Sequence, residues 1–133
     1  MENQFPYADE YSAQKARYSR LSVVDIRACQ QAATGPYRNE VLSDFNQDCL
    51  RLSVFEGEYR WHCHPDSDEL FLVVAGRLQI ELAGRDALEL TEWQSVVIPA
   101  GMIHRTRALG RTVNLTCEKQ GARTVFVEDP SAA

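Results

Sequence analysis

The chain has 133 residues, 44% of them hydrophobic and 25% charged, with a formal net charge of -5. A length of this order suits one domain with a core of its own, and the composition is that of a globular protein, neither disordered nor membrane-spanning. Lys15 and Lys119 are the only lysines and the arginines are scattered, so no basic footprint for nucleic acid is expected.

The opening MENQFPYADEYSAQ has no basic start followed by an apolar run, and no apolar stretch of membrane-spanning length occurs anywhere. These features predict a cytoplasmic protein without a membrane partner. The four cysteines, Cys29, Cys49, Cys63 and Cys117, contain no Cys-x-x-Cys pair and read as free thiols.

In chain order, residues 1–20 are polar with interspersed tyrosines and form either an arm or a short helix. From Leu21 the texture is short β-rich runs: LSVVDIRAC, YRNEVLSDF, CLRLSVFE, YRWHCH, ELFLVVA, RLQIELA, ALELT, SVVIP, HRTRAL, TVNLTCEK and RTVFVED. Leu50, Leu52 and Val54 alternate cleanly, as do Leu78, Ile80 and Leu82. Glycines break the pattern every ten to twenty residues and no long 3.6-residue periodicity appears, which predicts an antiparallel sandwich or barrel. One domain is expected over residues 21–128, with a frayed tail at 129–133.

Two of the three histidines lie in WHCHPDSDE, residues 61–69. Side chains two apart on a strand share a face, so His62 and His64 project together and Cys63 points away. Pro65 to Asp68 reads as a four-residue turn, with Asp66 and Asp68 as solvated turn formers. A symmetric hairpin there would set Glu69 opposite His64 and Phe71 opposite His62. Phe71 becomes a candidate pocket wall, and Arg60, sharing the parity of His62, a weak candidate for an anionic substrate. The third histidine follows in VVIPAGMIHRTR, where Pro99 ends a strand and Gly101 permits a turn that leaves His104 at the start of the returning strand.

The spacing Gly57-x4-His62-x-His64-x4-Glu69-x6-Gly76 resembles the first motif of the cupin family, and Pro99-x-Gly101-x2-His104 resembles the core of the second. The resemblance spans about residues 50–108 and is to the short microbial single-barrel cupins. It implies an all-β double-stranded β-helix, or jelly-roll barrel, with a short N-terminal arm, and one divalent metal ion held by His62, His64, Glu69 and His104. Three departures stand out. Four residues rather than five separate Gly57 from His62, Trp93 replaces a glycine six before the proline, and Ala108 replaces an asparagine four after the last histidine.

Three imidazoles and a carboxylate suit iron, manganese, nickel, cobalt, zinc or copper, and leave positions open on a six-coordinate ion. The resemblance to cupins implies that such a site acts on a small oxygenated metabolite as a dioxygenase, isomerase or lyase. The competing expectation is a barrel that binds a small sugar or acid without turnover. A further acid or base is expected only from Arg60, or from Gln79 or Glu81 if that strand turns its polar face inward. A homodimer is expected, joined through Trp61, Trp93 or the N-terminal arm.

Overall fold

In the computed structural model, residues 8–131 are described, so Tyr7 and the rest of residues 1–7, and the last two residues of the tail, lie outside the described residues. Two short helices, α1 (Ala8–Ala13) and α2 (Ile26–Ala32), precede nine strands. These are β1 (Tyr37–Phe45), β2 (Asp48–Glu58), β3 (His62–Cys63), β4 (Glu69–Ala75), β5 (Leu78–Leu82), β6 (Leu88–Leu90), β7 (Ser95–Ile98), β8 (His104–Lys119) and β9 (Val125–Phe126).

The runs expected as strands at YRNEVLSDF and ELFLVVA form β1 and β4 residue for residue. Two differences follow from local chemistry. Leu21–Cys29 was expected as a strand, but Asp25 caps a helix there: its Oδ1 accepts the Ala28 N–H at 3.0 Å. HRTRAL and TVNLTCEK are one strand, β8, which passes through Gly110 at φ 90°.

Sixteen-residue β8 is the spine of the barrel. Its second half pairs antiparallel with β2 on one edge and with β4 on the other; its first half pairs with β5, with the end of β2 and with β3. Beyond β4 lies β7, beyond β5 lies β6, and β1 flanks β2. The antiparallel sheet therefore curls on itself as a double-stranded β-helix.

Register fixes which side chains enter the barrel. Cys49, Glu118 and Glu69 form one inward row across β2, β8 and β4; Arg51, Thr116 and Phe71 form the next, and Ser53, Asn114 and Val73 a third. The far end is apolar, filled by Phe55, Phe71, Val73, Leu78, Ile80, Leu82, Leu90, Ile98 and Ala108. Leu78, Ile80 and Leu82 thus take the inward face of β5, and Gln79 and Glu81 stay outside it, Glu81 bound by Arg105.

A second cluster lies on the outer face of the sheet, where Leu42, Leu52, Val54, Val113 and Leu115 pack under Val24, Ile26 and Cys29. Between the helices, the Arg17 and Tyr18 amides donate to the Val41 and Leu42 carbonyls at 3.0 Å, which covers the edge of β1. Among the described residues no helix is long and apolar enough to cross a membrane.

Candidate metal centre

His62 and His104 face each other across β3 and β8, ring centroids 4.4 Å apart. His64 follows on the same face, its carbonyl accepting the Gly101 N–H at 3.0 Å, which ties the first histidine pair to the turn that delivers His104. Glu69 opens β4. The four residues His62, His64, Glu69 and His104 are 5%, 4%, 5% and 1% exposed, and one potential ligand atom from each lies within 4.8 Å of all the others.

The expected hairpin does not form. β3 and β4 share no hydrogen bonds; Glu69 pairs instead with Ile98 of β7 and Glu118 of β8, and His62 with His104 and Phe126. Asp66 and Asp68 are exposed, as expected of turn formers, and also fix the connection by accepting the Arg123 and Ala100 amides at 3.0 and 2.8 Å. Convergence is achieved across the barrel, not along a ribbon.

Each imidazole is oriented by its other nitrogen. Nδ1 of His62 sits 2.7 Å from the Arg60 carbonyl, Nδ1 of His64 2.9 Å from that of Arg123, and Nδ1 of His104 2.9 Å from that of Met102. A carbonyl only accepts, so each Nδ1 holds a proton and, in the neutral ring, each Nε2 presents a lone pair to the centre. Glu69 Oε1 lies 3.3 Å from His64 Nε2 and 3.4 Å from His104 Nε2, without the alignment of a hydrogen bond, and all three atoms are buried without hydrogen-bond partners. Buried polar atoms left this way are costly. A divalent cation among them would satisfy them, so the donor set fits a metal ion.

The same geometry sets the charges in the metal-free cluster. Burial, helped by repulsion from His104 and His64, lowers His62 to about 3. Burial also works against a charge on His64, but the Glu69 carboxylate outweighs it and raises the imidazole to about 9. On Glu69 burial is likewise overcome, by His64 and His104, and the carboxyl is held well below its usual range.

Phe71 lines the small cavity beside the cluster, edge-on to His104 at 6.0 Å. Arg60 does not line it; its side chain is exposed, with the guanidinium 3.7 Å from the centroid of Phe126. The cavity measures about 40 Å³, room for one or two water-sized groups. A wider hollow of about 940 Å³ opens on the outer surface around Asp66, Asp68 and Val97 and includes none of the four cluster residues.

Three residues at this centre were not singled out from the sequence: Tyr11, Arg51 and Glu118. Tyr11 of α1 stacks on His64, centroids 5.4 Å apart, and donates its hydroxyl to Glu118 Oε1 at 2.5 Å. Arg51 Nη2 lies 3.7 Å from Glu118 Oε2, with both side chains almost fully buried. Burial, then the charge of Glu69 facing it across the sheet, push Glu118 up to about 7.

A small antiparallel barrel with a buried three-histidine, one-carboxylate cluster is thus what fold and site define. The chain belongs to the cupin family: residues 52–117 match the cupin domain (Cupin_2), in keeping with the motifs at His62 and His104. It is 47% identical over 93 residues to the uncharacterized protein YdbB of Bacillus subtilis (strain 168), covering 70% of this chain and 82% of that one. It is 38% identical over 71 residues to polyketide synthase CurC of Streptomyces cyaneus, 53% of this chain but only 40% of CurC. The crystal structure of a cupin-2 domain protein from Shewanella frigidimarina NCIMB 400 superposes with a TM-score of 0.68 at 28% identity, over 73% of this chain and 94% of that one.

Proposed function

We propose that this chain is a divalent-transition-metal cupin in which His62, His64, Glu69 and His104 hold the ion and leave it open toward the cavity, where a small oxygenated metabolite binds and is turned over. The observation that carries this reading is the three Nδ1–carbonyl contacts, which aim three lone pairs and the Glu69 carboxylate at one buried point. Iron, manganese, nickel, cobalt, zinc and copper suit such a donor set, whereas calcium and magnesium prefer oxygen ligands.

When bound, the ion would supply Lewis-acid or redox chemistry at a substrate oxygen. The protein's own contribution is orientation and exclusion of water. Phe71 walls the cavity, and Asn114 Oδ1 and Thr116 Oγ1, both buried without hydrogen-bond partners, offer contacts to a polar ligand. Similarity to CurC, named a polyketide synthase, supports an oxygenated carbon skeleton as the substrate. Binding of a small sugar or acid without turnover is the second reading, favoured because none of Arg60, Gln79 and Glu81, the further acids or bases expected from the sequence, lines the cavity. Oxygen uptake or product formation with diketones, hydroxy acids and sugar phosphates separates the two; tight binding with no turnover across that panel selects the second.

Elemental analysis of protein purified without chelator tests the metal itself. Near one equivalent is expected in the wild type and a loss of most of it in His62→Ala and Glu69→Gln. Unchanged metal content in both variants would refute the reading. Because the ion binds the folded state, adding it at a hundred times its dissociation constant should stabilise the wild type by about 2.7 kcal/mol, and neither variant.

A cytoplasmic setting goes with this function, supported by four free thiols. A homodimer does too. Trp93 is 74% exposed beside a surface hollow lined by Ile26, Val74, Ala75, Val113 and Leu115, which recommends it over Trp61, whose ring is packed near Arg105. Light scattering at micromolar concentration should give twice the chain mass, reduced to one chain by Trp93→Glu; a monomeric wild type would refute it.

A further inference from the structure

Tyr11 is 6% exposed, although Glu10 and Ala13 around it in α1 are exposed. A helix of six residues has too few internal hydrogen bonds to hold itself, so α1 stays in place through its contacts with the barrel, those of this ring among them. The seat has three parts. The His64 imidazole stacks on the ring with planes 23° apart, the Arg51 guanidinium lies over it 3.7 Å from its centroid, and Glu118 Oε1 takes the hydroxyl proton in a hydrogen bond. Two flat polar groups for the ring and a carboxylate for the hydroxyl are a recognition set for a phenol. The ring stacking and the hydroxyl bond ask only for a phenol, while Arg51 also donates to the Tyr11 carbonyl at 3.5 Å.

Ser12 of α1 and Gln14 just after it add side-chain contacts to the barrel. Ser12 Oγ donates to the Ala122 carbonyl at 3.0 Å, Gln14 Nε2 to the Asn39 carbonyl at 3.1 Å, and Arg51 Nη1 bonds Gln14 Oε1. Among the described residues, the first backbone-to-backbone hydrogen bond from this segment to the barrel comes at Arg17. Lifting residues 10–14 would therefore break no backbone pairing with the barrel among the described residues and would leave Arg17 and Tyr18 docked on β1. The 40 Å³ cavity beside the metal-ligand atoms is too small for any ring while Tyr11 remains, and Tyr11 forms part of its wall.

We propose that the seat of Tyr11 is a binding subsite for a hydroxylated aromatic ring, and that Tyr11 is the chain's own occupant of it, kept there by α1 until such a ligand displaces it. A phenol in that seat would lie against His64 with its hydroxyl on Glu118, bordering the cluster. This names the ligand class for the metal-cupin reading and rests on that reading only for the passage from binding to turnover.

The test uses metal-free protein and 4-methylphenol, the tyrosine side chain as a free molecule, with toluene as the hydroxyl-less control. Tyr11→Ala should bind 4-methylphenol at least tenfold tighter than wild type and at least tenfold tighter than it binds toluene, and adding Glu118→Leu, which removes the acceptor, should erase that preference. In the wild type, saturating 4-methylphenol should speed amide hydrogen exchange of residues 10–14 at least tenfold and leave Arg17 and Tyr18 protected. Equal affinity in wild type and Tyr11→Ala, no binding by either, indifference to the hydroxyl, or unchanged exchange in α1 would each overturn the proposal and leave Tyr11 a structural plug. Should Tyr11→Ala not fold, the pair Ser12→Ala and Gln14→Ala loosens the rim with the ring in place; it should bind 4-methylphenol tighter than wild type, and equal binding overturns the proposal. With no metal present, this result and the metal content of His62→Ala can fail independently.

Discussion

Replacing Arg51 by methionine tests the polar half of the barrel. Its guanidinium lies 3.7 Å from Glu118, and the two side chains are 2% and 1% exposed. At an effective dielectric constant of about 20, the attraction between unit charges at that distance is about 4–5 kcal/mol. The wild-type pair recovers little of this net, because both ions leave water, but removing one partner strands the other, which costs about 3–5 kcal/mol. Arg51 also donates to Asn39 at 2.8 Å and to the Tyr11 carbonyl at 3.5 Å, so α1 loosens as well. Urea unfolding of metal-free protein at pH 8, where Glu118 with its value of about 7 is mostly ionised, should show Arg51→Met destabilised by about 3–5 kcal/mol. At pH 5.5, where Glu118 is already protonated, the loss should be smaller, and Arg51→Met with Glu118→Leu should recover most of it at either pH. A cost below about 1 kcal/mol at pH 8, or a double variant no better than the single one, would refute the claim that this pair is a buried and mutually dependent unit.

The cluster also predicts how metal-free stability varies with pH. His62, about 3 when folded against 6.5 unfolded, and Glu69, also lowered, favour the folded state less as pH falls below 6.5 and 4.5 respectively; His64, raised to about 9, and Glu118, raised to about 7, favour it less as pH rises above 6.5 and 4.5 respectively. The His62 and Glu118 slopes cancel between pH 4.5 and 6.5, so calorimetry across pH should find a plateau there and, between pH 6.5 and 9, a loss of about 3 kcal/mol from His64 alone; a stability that rises through that range would contradict the assignment. Gly76→Ala should cost about 2 kcal/mol or more in urea unfolding, because φ is 89° there and an added Cβ would sit 2.6 Å from the Arg111 carbonyl oxygen; a neutral result would mean the turn can move.

Most strands were legible because their runs alternate, with Gly76 and Gly84 following two of them, while LSVVDIRAC carried β-rich residues and holds a helix. The faces were not equally legible. Leu78, Ile80 and Leu82 alternate and point into the barrel, while Leu52 and Val54 in the same pattern point outward, under Val24 and Ile26. The sign of the pattern depends on what covers the sheet, and α2 covers β2, so Leu52 to Phe55 are buried on both faces. Alternation reveals a face only when the other face is wet. That is also why the helix at Ile26–Ala32 was missed: it is short, and its half-buried Ile26 and Cys29 gain their apolar contacts only by docking on a sheet assembled later in the chain.

The four cluster residues were legible for a reason partly different from the one that holds in space. Strand parity puts His62 and His64 on one face, but Glu69 reaches them through β8 and β7, not through a turn of its own. Motif spacing therefore carries information about a closed barrel, where residues distant in sequence are cross-strand neighbours, and a hairpin argument can give the right residues with the wrong contacts. Tyr11 and Glu118, 107 positions apart, have no such spacing to betray them. The trace they leave is indirect. Arg51 is a charge between apolar neighbours, Leu50-Arg51-Leu52, and a charge that interrupts a doubly buried strand must find a partner inside, whereas Glu118, followed by Lys119, carries no such sign. Here that partnership also fixes Tyr11 on His64, so the residues least visible in the sequence decide how much of the metal-ligand cluster a ligand can reach.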